Sequence, residues 1–217
     1  DLFHSSHFRI PLSTKTKHIA TVYDFIYELG WLKTKGSALN IFQRKQSINR
    51  ADAIICISQN TKKDLLALYP DLTTHPHIYA VPLGTSLRVN SIQNTAMSIR
   101  LTELIKLVQS RYILFVGTRT HYKNFACALQ GFAESSLPRS KYSFICTGPS
   151  FTEADHALVQ KFGIQDKVFL LEFATTDELI GLYKNALALV YPSFYEGFGL
   201  PLLEAINCGC PTIAANT

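Results

Sequence analysis

The chain has 217 residues, 47% hydrophobic and 17% charged, enough apolar material for one large core or two small ones. No apolar run approaches the ~18 residues of a membrane span. Nothing reads as a signal peptide, a repeat, a low-complexity stretch or a disordered segment. The net charge of +5 is uneven: residues 1–95 hold 11 Lys/Arg against 6 Asp/Glu, and residues 96–217 hold 10 of each. That bias reads either as a solvated basic surface or as a face for something anionic, lipid headgroups or nucleic acid. The five cysteines (56, 127, 146, 208 and 210) are odd in number and include no C-x-x-C pair. Buried free thiols in a reducing cytosol are expected, rather than a disulfide framework or a zinc site. Asp1 opens the chain without an initiator Met, and PTIAANT closes it like a strand barely finished. Both ends read as cut, so a fragment of a longer protein is expected.

In chain order, HIATVYDF (18–25) reads as a buried strand ending in a polar loop. Residues 38–51 mix apolar and basic positions as a helix does, and ADAIICIS (51–58) is a strand of β-branched residues. Ser58 opens a helix over 60–69 that Pro70 stops, and HIYAVPLG (77–84) is the next strand. Strand, helix, strand predicts a parallel sheet with crossovers. A linker, TSLRVNSIQNT (85–95), and a lead-in helix over 98–110 follow. A second unit then alternates: strand 111–117, loop and helix 120–135, strand 141–148, helix 154–163, strand 167–173. A helix over 176–186 with Thr176 as N-cap, a strand over 187–193 and TIAA (212–215) complete it. This is the rhythm of a doubly wound nucleotide-binding domain, in which ligands sit at the carboxyl ends of strands. Gly117, Gly148 and Ser193 lie just past such ends.

YEGFGLPLLEAINCGCP (195–211) carries carboxylates at both ends of a Gly-rich turn. Pro201 suits the first turn of a helix over about 200–208, and Gly209 with Pro211 suits its end. The helix N-terminus offers unpaired N–H groups and partial positive charge, and Gly197 and Gly199 let a phosphate approach closely. Glu196 stands outside the turn and Glu204 about one turn inside the helix. A ligand with central phosphates and a sugar at each end, a nucleotide sugar, would use both; an ordinary capped helix with acidic residues near its positive end explains the same spacing. In VGTRTHYKN (116–124), Arg119 and Lys123 follow a predicted strand. Two cations there would neutralise a diphosphate leaving group, though singly each reads as a surface charge. The chain has no D-x-D, no P-loop and no G-x-G-x-x-G. These absences argue against a metal-held diphosphate, a P-loop ATPase and a dinucleotide dehydrogenase. HPH (75–77) reads as a surface turn rather than a metal site, and the 24 Tyr and Phe are spread as core rather than as a base-stacking platform.

YPSFYEGFGLPLLEAINCGCP closely resembles the E-x7-E signature of the retaining glycosyltransferases of family 4, the group 1 glycosyltransferases. FVGTRTHYKNF resembles their Gly…Arg…Lys-Asn loop, and TDELIGLYKNALALVYPS the lead into the signature. DLFHSSHFRIP, TVYDFIYE and ADAIICISQNTKKDLL resemble parts of their N-terminal domain. The resemblance implies an α/β chain of two Rossmann-like domains (GT-B), both incomplete at the chain ends. Residues 1–95 would be the acceptor-side domain and 96–217 the nucleotide-sugar-binding domain. It implies retaining hexosyl transfer without a metal or cofactor, from GDP-mannose or a UDP-sugar to a sugar or lipid-linked glycan. Cell-surface polysaccharide or glycolipid synthesis would be the setting. By the same resemblance Arg119 and Lys123 hold the diphosphate, Glu196 contacts donor-sugar hydroxyls and supports developing positive charge, and Glu204 binds the ribose. Gly117 and the backbone of Phe198, Gly199 and Leu200 touch phosphate or sugar. Tyr23-Asp24 stands where many members have His-Asp, which leaves Tyr23, Asp24, His4 or His7 as acceptor-side groups. A cytoplasmic enzyme, docked on the anionic inner membrane face and without a nucleic-acid partner, fits the basic first half. An epimerase of the same shape, or a non-catalytic nucleotide-binding module, is the alternative.

Overall fold

The computed structural model describes residues 1–85, 87, 98–108, 111–136 and 141–216. They divide into two compact units: Asp1–Gly84 with Tyr195–Gly199, and Thr85–Phe194 with Leu200–Thr217.

In the first unit, β1 (Leu2–Ser5), β2 (Lys17–Val22), β3 (Ala53–Cys56) and β4 (Ile78–Ala80) form a parallel sheet in sequence order. Two helices, α1 (Ser37–Asn49) and α2 (Gln59–Leu68), provide crossovers. Ser58 caps α2, its hydroxyl accepting the Thr61 N–H, and Pro70 diverts the chain into a 3-10 turn over Pro70–Thr74. The core gathers Val22, Phe25, Ile48, Ile54, Cys56, Leu65 and Ile78. The sequence pattern marks no strand before residue 18, because LFHS holds one buried side chain, Ser5. Pairing with β2 makes β1 a strand.

In the second unit, α3 (Ile99–Val108) precedes a parallel sheet with strand order β7-β6-β5-β8-β9. Its strands are β5 (Arg111–Val116), β6 (Tyr142–Gly148), β7 (Val168–Glu172), β8 (Ala188–Tyr191) and β9 (Thr212–Ala214). Central β5 is covered on both faces, hence its near-continuous apolar run. One face packs on α4 (Phe125–Glu134) and α5 (Glu153–Lys161) through Phe125, Leu129, Phe132 and Val159. The other packs on α3, α6 (Thr176–Asn185) and α7 (Leu200–Asn207) through Leu101, Leu104, Ile180, Tyr183 and Ala205. Thr175, not Thr176, caps α6: its hydroxyl accepts the Glu178 N–H at 3.3 Å, and the Glu178 carboxylate accepts the Thr175 N–H at 2.8 Å. That reciprocal box needs a Glu three residues after the cap, which only Thr175 has. Most of the expected linker, residue 86 and residues 88–95, lies outside the described residues. Cysteines 56, 146 and 210 are buried as expected, but Cys127 is exposed, since it falls on the solvent side of α4.

Candidate active site

In the second unit the chain winds outward from β5 to β7, then returns to β8 on the other side of β5. Sheets of this order bind ligands where the strand order reverses, at the strands' carboxyl ends. Here that point is Gly117 after β5 and Pro192-Ser193 after β8. Gly117 has φ +121°, and a Cβ at Gly148 would strike the Gly117 carbonyl oxygen. Both positions therefore demand glycine. Asn124, in the left-handed region at φ 53°, turns the loop into α4. The Phe194 N–H donates to the Tyr122 carbonyl at 2.8 Å, tying the two strand-end loops together. Ser193 is buried, and its Oγ has no hydrogen-bond partner among the described residues.

The two expected cations differ. Lys123 Nζ donates to the Tyr191 hydroxyl at 3.1 Å and lies 5.0 Å and 5.3 Å from the Tyr191 and Tyr122 ring centroids, at the carboxyl end of β8. Arg119 turns towards the end of β6. Its side chain is 4% exposed, and Nε donates to Asp155 Oδ2 at 3.1 Å. Nη2 donates to the Pro149 and Ser150 carbonyls at 2.5 and 2.7 Å, and the guanidinium lies over the Phe151 ring. Its charge is already matched by a carboxylate that also receives the Thr152 N–H and hydroxyl at the start of α5. Pro201 occupies the first turn of α7, and Glu204, half-buried on the same helix, accepts from the fully buried Tyr183 hydroxyl at 3.0 Å. Burial pushes the Glu204 carboxyl above the ordinary carboxylate range, and the Tyr183 hydrogen bond opposes the shift in part.

Glu196, Gly197, Phe198 and Gly199 belong to the first unit. The Glu196 carbonyl accepts from Asn60 Nδ2 at 3.2 Å, and the Gly197 carbonyl from Ser58 Oγ at 2.5 Å and Thr61 Oγ1 at 3.1 Å. A Cβ on Gly197 would overlap the Tyr23 carbonyl oxygen and crowd Asp24 Cβ. Two groups named from the sequence, Tyr23-Asp24 and Glu196-Gly197, are thus brought together. Asp24 lies 3.8 Å from buried Arg44, which also pairs with Glu28 at 3.1 Å and donates to the Asp24 carbonyl. His4 joins β1 to β2 through Thr21 Oγ1 at 2.9 Å, and His7 stacks on Phe8. Sequence reasoning missed Ser58, Asn60 and Thr61 as docking groups, and Asp155, Tyr183 and Tyr191 as partners. Each reaches across 21 to 139 positions in the chain. Among the described residues no cluster of three or more His, Cys, Asp or Glu could hold a metal, and no helix is long and apolar enough to cross a membrane.

Residues 103–217 match the family described as Glycosyl transferases group 1. The chain belongs to the group 1 glycosyltransferases. This member is 29% identical to O-antigen chain mannosyltransferase B of Escherichia coli over 175 residues, 79% of this chain and 45% of that protein. Its fold superposes on sucrose-phosphate synthase of Thermosynechococcus elongatus with a TM-score of 0.73 at 19% identity, covering 100% of this chain and 56% of that one. Anabaena HepE, solved with UDP and glucose, matches with a TM-score of 0.71 at 15% identity, covering 94% of this chain and 54% of that one. At these identities the structural likeness speaks to fold alone: two parallel α/β units of the GT-B type. This group 1 glycosyltransferase spans about half the length of the relatives it matches.

Proposed function

We propose that the protein transfers a sugar from a nucleotide-diphosphate sugar to a glycan or lipid-linked acceptor, as a family 4 enzyme retaining the anomeric configuration. The observation that supports it most is the placing of Lys123 against the Tyr191 hydroxyl at the carboxyl end of β8, by the strand reversal in the sheet of a group 1 glycosyltransferase. Lys123 balances the charge that builds on the departing diphosphate. Arg119, neutralised by Asp155, holds the loop that presents Lys123. Glu204 accepts from the ribose hydroxyls, the backbone of Phe198, Gly199 and Leu200 contacts phosphate or sugar, and Glu196 contacts the donor sugar. The acceptor attacks from the face the diphosphate leaves, so no protein nucleophile is needed, and Tyr23-Asp24 lies on the acceptor side. Lys123 takes the place of a metal ion. The likeness to an O-antigen mannosyltransferase favours GDP-mannose as donor and polysaccharide synthesis as setting, with UDP-sugars next. The excess positive charge of the first half, with Leu39 and Phe42 each 58% exposed on α1, suits docking on an anionic inner membrane face.

The test is product analysis with the intact protein, EDTA, and GDP-mannose or UDP-glucose offered with a synthetic polyprenyl-diphosphate-linked monosaccharide. An α-linked product, read from the one-bond coupling between the anomeric carbon and its proton, is expected. Conversion of donor without acceptor would instead identify an epimerase, and no turnover with tight nucleotide binding a non-catalytic module.

A further inference from the structure

We infer that Tyr195 and Asp64 form an anchor that positions the Glu196-Gly197 segment from the first unit. The anchor is a matter of geometry; its consequence for turnover rests on the function proposed above. Tyr195 is buried, and its hydroxyl is used twice. It donates to Asp64 Oδ2 at 2.8 Å and accepts the Phe25 N–H at 3.0 Å. Phe25 directly follows Tyr23-Asp24, so one hydroxyl ties the acceptor-side loop, α2 and the glutamate segment together. Trp31 lies over the Tyr195 ring, with centroids 6.4 Å apart and planes within 10°.

The anchor continues along α2. Ser58, Thr61 and Asp64 follow at three-residue spacing, which places them along one face of the helix start. Ser58 and Thr61 hold the Gly197 carbonyl, Asn60 holds the Glu196 carbonyl, and Asp64 holds the Tyr195 hydroxyl. Glu196 therefore sits between a residue fixed by its side chain and a residue fixed by its carbonyl and by lack of room for a Cβ. Packing alone would be served by Phe at 195. Burying a hydroxyl beside a carboxylate is costly unless the two are bonded, as they are here. Burial also holds the Tyr195 hydroxyl well above its ordinary pKa, so it remains a donor. Tyr195 and Asp64 are positioning residues: they act through the backbone of Glu196 and touch no substrate themselves.

Trp31 is the one tryptophan of these 217 residues, so with any tryptophan outside them replaced by phenylalanine its fluorescence reports on the anchor directly. Acrylamide quenching of the intact protein is measured for wild type, Tyr195→Phe, Asp64→Ala and Asp64→Asn. The amide oxygen that Asp64→Asn introduces still accepts the hydroxyl, so this variant quenches like wild type, whereas Asp64→Ala and Tyr195→Phe quench more readily. In turnover of the nucleotide sugar the latter two lose about tenfold or more in kcat, the rate equivalent of one charge-assisted hydrogen bond, with donor KM little changed. Asp64→Asn restores kcat, and the double variant Tyr195→Phe/Asp64→Ala is no slower than either single one. Unchanged quenching in both disruptive variants overturns the anchor whether or not the protein is active. Altered quenching with unchanged kcat overturns its positioning role. Altered quenching in a protein whose wild type turns over no nucleotide sugar keeps the anchor and removes the transferase reading alone.

Discussion

Asp155→Ala tests whether Arg119 is a structural cation. Asp155 and Arg119 side chains are 8% and 4% exposed, and the Nε–Oδ2 distance is 3.1 Å. Removing the carboxylate leaves a buried guanidinium whose remaining partners are the neutral carbonyls of Pro149 and Ser150. Breaking a buried pair from one side costs about 3–5 kcal/mol. The same carboxylate completes the capping box of α5 by accepting from the Thr152 N–H and hydroxyl, a contribution of about 1 kcal/mol that overlaps the first. At roughly 2–4 °C per kcal/mol for a domain of this size, the second unit should melt about 6–20 °C lower. Circular dichroism melts give the shift, and hydrogen exchange over Thr152–Lys161 shows whether the start of α5 opens first. Arg119→Met/Asp155→Leu removes both charges and should recover most of the loss. A melt of Asp155→Ala within about 1 °C of wild type would show that Arg119 does not depend on Asp155, because a destabilisation below about 0.5 kcal/mol means the guanidinium has found water or another anion.

Gly197→Ala places a methyl group against the Tyr23 carbonyl oxygen, so the Glu196 segment must shift; overpacking of about 1–3 kcal/mol predicts a melt lowered by several degrees together with a loss of about ten- to hundredfold in turnover. Wild-type turnover in that variant would show that the segment is free to move. Glu204→Gln keeps an oxygen for the Tyr183 hydroxyl and removes an ionisable group whose carboxyl burial holds above its ordinary value. A raised acid pKa means the folded state keeps its proton longer, so this group's contribution to stability falls as pH rises from the unfolded value through the folded one. Urea melts at about pH 8 should therefore find the variant at least as stable as wild type, with the gap closing at about pH 4; a variant less stable at the higher pH would contradict the sign. Phe42→Asp on α1 should reduce co-sedimentation with vesicles containing anionic lipid and leave turnover of a soluble acceptor unchanged. Equal co-sedimentation would move the membrane contact elsewhere.

The alternation of β-branched runs with amphipathic stretches was enough to predict both parallel sheets, since strands such as RYILFV and SFICTG are buried on both faces and read as continuous apolar runs. The start of α2 at Ser58 and the span of α7 between Pro201 and Gly209 were legible because capping and breaking residues act locally. β1 was not, because LFHS has no burial pattern of its own and becomes a strand through its partner. Lys123 falls in the loop between β5 and α4, and Glu204 on α7, as the sequence predicts. The sequence could not show that Arg119 meets Asp155, 36 positions away, nor that Tyr195 meets Asp64, 131 positions away. A formal positive charge in a loop looks the same in sequence whether it faces a ligand or a buried carboxylate. That difference is tertiary: Arg119 meets the buried Asp155 carboxylate, and Lys123 the Tyr191 hydroxyl.

The proposed function requires Lys123, at the carboxyl end of β8, to help bind a nucleotide diphosphate without a metal. Calorimetric titration of the intact protein with UDP, GDP, UDP-glucose and GDP-mannose in EDTA tests it most directly. Binding of one nucleotide and its sugar conjugate is expected, weakened about tenfold or more by Lys123→Ala, the equivalent of one charge-assisted contact. No heat with any of the four, or binding that Lys123→Ala leaves unchanged, would contradict it.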